Sequence, residues 1–164
     1  MAENVLVGVV MGSDSDLAVM QQCIDQLKDF GIACEVRIIS AHRTPDIAHQ
    51  YSSTAASRGL KVIIAAAGMS AALAGVMAAG TTLPVIGVPM ESGPLKGIDA
   101  ALSTMQMPPG IPVGAMAING AVNAAVYAAQ ILATSDTELV TKLQEFKNTQ
   151  AHKVFQKDQQ LGSK

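Results

Sequence analysis

Three short polar segments of this chain carry residue types that could do chemistry. Gly12-Ser13-Asp14-Ser15-Asp16 offers hydroxyls, carboxylates and free amides directly after an apolar run. At the start of a helix such a segment is an anion site, because unpaired N–H groups and the helix dipole both favour negative charge. It has neither the Gly-x-Gly-x-x-Gly spacing of a dinucleotide fold nor the lysine of a P-loop. An ordinary helix cap also needs Ser and Asp. An acid such as Asp16 beside a phosphate cradle can, however, accept hydrogen bonds from ribose hydroxyls. A phosphorylated ribose therefore suits the segment better than a bare phosphate.

Ser40-Ala41-His42-Arg43-Thr44-Pro45 is the most informative stretch. Arg43 can fork onto a phosphate and Ser40 can add a hydroxyl. His42 is the only histidine expected in a strand-end loop, since His49 falls in a helix and His152 in the tail. Imidazole titrates near neutrality and suits a general acid or base. A loop histidine that merely bonds a backbone carbonyl remains open at this point. Three His and two Cys assemble no Ser-His-acid triad and no metal cluster. The chemistry left to these residues is proton transfer without a metal. The third segment, Ala67-Gly68-Met69-Ser70-Ala71-Ala72-Leu73, offers amides where the backbone can approach a ligand closely, or simply a helix packed on a sheet.

The elements that must position these loops follow from apolar runs and their punctuation. Val5 to Met11 is a continuous apolar run, as expected of a strand buried on both faces. A helix starts among Ser13 to Asp16, carries Leu17, Met20, Ile24 and Leu27 on one face, and ends at Gly31. Ala33 to Ile39 is a second strand, and Thr44-Pro45-Asp46 opens a second helix closed by Gly59. Val62 to Ala66 is the third strand, Gly68 to Ser70 a turn, Ala71 to Gly80 a small-residue helix and Pro84 to Val88 the fourth strand. Ile98 to Met105 is helical, Val113 to Ile118 a fifth strand and Ala121 to Ala133 an Ala-rich helix. Five β-α units predict an α/β fold: a three-layer, doubly wound, five-stranded parallel sheet of flavodoxin or Rossmann type, with ligands at the carboxyl ends of the strands.

This α/β domain is expected over residues 1–134, and a C-terminal amphipathic helix over residues 135–164. The helix places Leu139, Leu143, Phe146 and Val154 on one stripe, to pack on its own domain or on a neighbouring subunit.

Composition narrows the class further. The 164 residues suit one domain, and aromatic residues make up only 3% of a chain that is 49% hydrophobic. The apolar mass is small side chains and Met. Only Glu91, Lys96 and Asp99 are charged between Val62 and Ala133. A compact monomer of this mass exposes roughly 7,700 Å², and so uncharged a segment cannot supply its share of a polar coat. Ala, Gly and loop-spaced prolines argue against a bilayer as its cover, which leaves burial between subunits. A formal charge of -2 provides no footprint for nucleic acid. The start of the chain has no secretory pattern, and Cys23 and Cys34 read as reduced core thiols of a cytoplasmic protein.

Four segments in order, Val9 to Asp16, Ser40 to Pro45, Pro84 to Pro89 and Gln106 to Gly114, resemble the signatures of the PurE family of purine biosynthesis, the N5-carboxyaminoimidazole ribonucleotide mutases. The resemblance covers nearly the whole chain. It implies a homo-octamer that acts on an aminoimidazole ribonucleotide and uses no metal or organic cofactor. It also implies that Ser13, Asp16 and Arg43 hold the ribose phosphate with Ser15 and Ser40 assisting, and that His42 moves the proton. The loop of Gly68, Met69, Ser70 and Leu73 would line the carboxylate site.

One departure stands out. Bacterial mutases usually read Gly-Gly-Ala-Ala-His-Leu-Pro-Gly in that loop, whereas this chain reads Gly68-Met69-Ser70-Ala71-Ala72-Leu73-Ala74-Gly75, with Ala72 in the place of a histidine. Ser70 is closer to related carboxylases that add free CO₂ to aminoimidazole ribonucleotide, while Arg43 and Pro45 follow the mutase pattern. A third, different reading is a nucleotide-binding or sensor domain without catalysis.

Overall fold

The five apolar runs do form one parallel sheet. A computed structural model describes residues 5–162. In it β1 (Val7–Met11), β2 (Cys34–Ile38), β3 (Val62–Gly68), β4 (Val85–Met90) and β5 (Gly114–Ala115) lie in the order β2-β1-β3-β4-β5. That order is the flavodoxin-like one, whose chain reverses direction of travel between β1 and β3. The register aligns Met11 with Ile38 on one side and with Ala66 on the other. The loops after β1, β2 and β3 therefore leave the sheet at one edge.

β1 is buried along its whole length because alternate residues serve two cores. Val7, Val9 and Met11 pack with α1 (Leu17–Asp29) and α5 (Ala121–Ala133) on one face. Val10 packs on the other face, against α2 (Pro45–Ala55) and α3 (Leu73–Gly80). α4 (Ile98–Met105) joins that second face: a Cβ at Gly87 would stand 2.2 Å from Thr104 Cγ2, so helix and strand meet at van der Waals distance only because Gly87 has no side chain.

Helices over Ile98–Met105 and Ala121–Ala133 coincide with the sequence reading. β5 is shorter than the expected Val113 to Ile118. Pairing stops after Ala115 because the chain then turns: Asn119 adopts φ 58°, and its amide bonds Pro89 O at 2.9 Å. β3 instead runs on to Gly68, which pairs with Met90.

α6 (Thr137–Gly162) is capped by the Asp136 carboxylate, which accepts from the amides of Glu138 and Leu139 at 2.9 and 3.1 Å. Leu139 and Leu143 are buried in the first core, and Phe146 meets Phe30 edge-on at 5.5 Å. Val154, on the same stripe, is 68% exposed, and every described residue from 147 onward is exposed on this chain. Only the first half of the helix lies on this domain. Among the described residues no helix is long and apolar enough to cross a membrane.

Ala124, Ala125, Ala128 and Ala129 are fully buried where α5 lies against α1 and the sheet. Small side chains are what permit that approach. Ala128→Leu is therefore expected to cost about 1–3 kcal/mol by overpacking, read as a lower urea midpoint at unchanged slope.

Candidate active site

The loop after β1 folds as a capped turn. Ser13 is extended and stands as the N-cap of a single 3₁₀ turn, Asp14–Asp16, that leads into α1. Its Oγ accepts from the Ser15 amide at 3.3 Å, and the Ser13 amide donates to Asp16 Oδ2 at 3.2 Å. This reciprocal pair is a capping box, which satisfies two donors that a helix start would leave unpaired. The Ser15 hydroxyl donates to Ser13 Oγ at 3.0 Å. The cap and the candidate ligand groups are thus the same atoms.

Asp16 is 9% exposed. Burial pushes its carboxyl above the usual range, opposed by the hydrogen bonds from Ser13 and Ser15, while the nearby Asp14 charge adds to the rise.

The loop after β2 is locked onto this turn. Ser40 and Thr44 bond each other twice, the Ser40 amide to Thr44 Oγ1 and the Thr44 hydroxyl to Ser40 O, both at 3.0 Å. The Arg43 guanidinium donates to Ser40 Oγ at 3.4 Å and to Gly12 O at 3.1 Å. The cation of the second loop is thereby held over the carboxyl end of β1. His42 lies between these anchors, exposed, and makes no side-chain hydrogen bond among the described residues.

The loop after β3 turns at Met69, whose φ of 56° lies in the left-handed region. For a residue with a Cβ that costs roughly 1–2 kcal/mol. The turn is closed by the Ala71 amide on Met69 O at 2.9 Å and the Ala72 amide on Ser70 O at 2.7 Å. Met69 and Ser70 are exposed, whereas Leu73 is buried beneath them in the second core.

One cavity of about 540 Å³ brings the three loops together. Ser13, Ser15, Asp16, Ser40, His42, Arg43, Gly68, Met69, Ser70 and Leu73 all line it. So does Ala72, so the alanine in the histidine's place faces the same space. Sequence reasoning missed Ser92, which enters the wall from the loop after β4. A lone serine in a long polar loop carries no signal of its own. The cue was indirect: a glycine at 68, where a Cβ would meet Ser92 Oγ at 2.1 Å.

The two thiols are outside this site. Cys23 and Cys34 belong to the first core, and burial pushes the Cys23 thiol up to about 12, a value fit for packing rather than for nucleophilic attack. Among the described residues no three His, Cys, Asp or Glu side chains gather as metal ligands.

The raised Asp16 carboxyl has a consequence for stability. A group whose folded pKa lies above its unfolded value contributes stability at acid pH and loses it as pH rises through the folded value. At neutral pH the buried carboxylate is thus a net cost. Asp16→Asn keeps an oxygen to accept from the Ser13 amide and removes the charge. It is expected to melt at or above the wild-type temperature at pH 7, with the difference shrinking toward pH 4, as followed by thermal denaturation across that range.

Comparison with known proteins agrees with the geometry. The model of the AIR carboxylase family matches residues 6–153. The chain is 48% identical over 158 residues to the N5-carboxyaminoimidazole ribonucleotide mutase of Bacillus subtilis, covering 95% of this chain and 98% of that protein. It is 49% identical over 156 residues to the phosphoribosylaminoimidazole carboxylase of Saccharomyces cerevisiae, covering 95% of this chain and 27% of that longer protein. The crystal structure of Treponema denticola PurE superposes with a TM-score of 0.82 at 31% identity, over 95% of this chain and 98% of that one. With a parallel sheet in flavodoxin order, three polar loops on one cavity and a family match across nearly its whole length, the chain belongs to the AIR carboxylase family.

Proposed function

We propose that this chain is a cytoplasmic 5-(carboxyamino)imidazole ribonucleotide mutase of purine biosynthesis, which moves a carboxylate from the exocyclic nitrogen of its substrate to ring carbon 4. The observation that carries the reading is the single cavity on which His42 and Arg43 meet the Ser13–Asp16 turn and the Gly68 turn. It gains weight from near full-length identity to proteins named as such mutases.

In this reading Arg43, Ser13 and Ser40 bind the phosphate, with Ser15 beside them. Asp16 accepts from the ribose hydroxyls. The C–N bond of the carbamate breaks, its electron pair stays on nitrogen, and protonated His42 supplies the proton that nitrogen takes up. The CO₂ released is held in the pocket while the electron-rich ring attacks it through carbon 4, forming the new C–C bond. Neutral His42 then removes the proton from carbon 4, which restores the aromatic ring and the acid for the next turnover. Confinement keeps the CO₂ at high effective concentration.

Ser70 on the cavity wall favours one second reading, direct carboxylation of aminoimidazole ribonucleotide by free CO₂. A paired assay separates the two. The mutase converts N5-carboxyaminoimidazole ribonucleotide without added bicarbonate and incorporates no label from bicarbonate. Incorporation of label with no conversion of the N5-carboxy substrate assigns the carboxylase instead. His42→Asn is expected to lower kcat by about 10²–10⁴-fold while ribonucleotide binding persists. Absence of turnover in the wild-type protein under both conditions leaves a non-catalytic nucleotide-binding domain.

The proposed working form is a homo-oligomer, an octamer by family resemblance, in which the outer half of α6 lies on a neighbouring subunit. In support, the chain exposes 9311 Å², well above the roughly 7,700 Å² of a compact monomer. Ile98, Leu102 and Met105 also form an apolar stripe on α4, each at least half exposed. Light scattering is expected to give several protomer masses for the wild-type protein and fewer for Leu102→Glu. A monomeric wild type refutes the assembly.

A further inference from the structure

The loop after β4 brings one more group to the cavity. Ser92 Oγ is buried and has no hydrogen-bond partner among the described residues. It stands directly over Gly68, where a Cβ would come within 2.1 Å of it. Ser92 lines both the main cavity and a second one of about 320 Å³ that shares Ser15 and Asp16 with it. A hydroxyl taken from water without a partner is a net cost in the free protein, recovered when a ligand supplies an acceptor.

We propose that Ser92 is a substrate-binding residue whose hydroxyl donates to the carboxylate of the aminoimidazole ribonucleotide, a step that rests on the function proposed above. The order of the strands carries the argument. Arg43 reaches across to Gly12 O, so its guanidinium sits at the end of β1. Ser92 follows β4, two strand positions away, roughly 10 Å across the sheet. Asp16 lines the wall of both cavities. A ribonucleotide with its phosphate on Arg43 and its ribose at Asp16 extends its ring and carboxylate toward Gly68 and Ser92.

The chemistry of the donor also fits. Of the two charged residues in the same loop, Glu91 is engaged with Asn119, whose Oδ1 accepts from the Glu91 amide at 2.9 Å and whose Nδ2 donates to its carboxylate at 3.4 Å, and Lys96 lines the second cavity rather than the main one. A neutral hydroxyl orients a carboxylate without holding its charge as firmly as a cation would. That matters for a group that must leave as uncharged CO₂, because ground-state binding lost in the transition state raises the barrier.

The test compares Ser92→Ala with the wild-type protein by calorimetric titration of two ribonucleotides, the stable 4-carboxylated aminoimidazole and its uncarboxylated counterpart. The melting temperature of each ligand-free protein is measured alongside. Affinity for the carboxylated ligand is expected to fall about tenfold or more, affinity for the uncarboxylated ligand to stay unchanged, and the ligand-free melting temperature to stay level or rise. Equal weakening of both ligands, an unchanged affinity for the carboxylated one, or a lower ligand-free melting temperature each overturn the assignment. A wild-type protein that binds neither ribonucleotide refutes the proposed function, and this assignment with it, and that failure is seen before any variant is compared.

Discussion

A strand paired on both edges and covered on both faces can meet a ligand only at its end, and β1 is such a strand. It lies between β2 and β3 with every residue from Val7 to Met11 buried. Its alternating side chains tie the two cores into one body. Because β2 and β3 diverge from it on opposite sides, their loops part at its carboxyl end and leave a crevice there. Gly12 is the first residue beyond that end. Its carbonyl receives Arg43 and its amide bonds Ala66 O at 3.0 Å. The second and third strands are thus both fastened to the residue that opens the candidate site.

The same burial explains the unusual composition. Helices approach this sheet closely, over Ala on α5 and over Gly87 beneath α4. Small residues pack well but carry no charge. A chain that spends its middle on them has little polar surface to cover itself, and the exposed apolar stripe on α4 is what remains. In this fold the packing that supports the site and the surface proposed for assembly share one cause.

Much of the fold was legible because Gly, Pro and Asn punctuate the helices: Gly97 precedes α4, Pro108 follows it, and Gly120 precedes α5. Strand ends were less so. β5 stops early because of where Asn119 is caught, a contact with Pro89 that no local pattern announces. The three polar loops could be read as one site because strand order in a doubly wound sheet fixes which loops share an edge. Ser92 could not, since its approach to Gly68 depends on the β3–β4 register that pairs Gly68 with Met90. The outer half of α6 is helical, as its stripe predicts, and exposed on this domain; the stripe alone does not distinguish packing on its own domain from packing on a neighbouring subunit.

The departure at Ala72 fits the rest of the cavity wall when its charges are considered. A ribonucleotide bearing a phosphate and a carboxylate brings at least two negative charges to a pocket whose own acid, Asp16, is buried. The capping box directs the Ser13 amide at that acid, and its raised pKa reflects how little solvent helps it. Positive charge is concentrated at one end, on Arg43 above Gly12. At the other end the wall is Gly68, Ala72 and the serine hydroxyls, all neutral. In the proposed binding mode such polarity would hold the permanent anion firmly and the transient one lightly. A second histidine at position 72 would place another cation-forming group beside the departing carboxylate. In the proposed mechanism its absence assigns proton transfer to His42 alone, whose loop the Arg43 and Thr44 contacts hold in place.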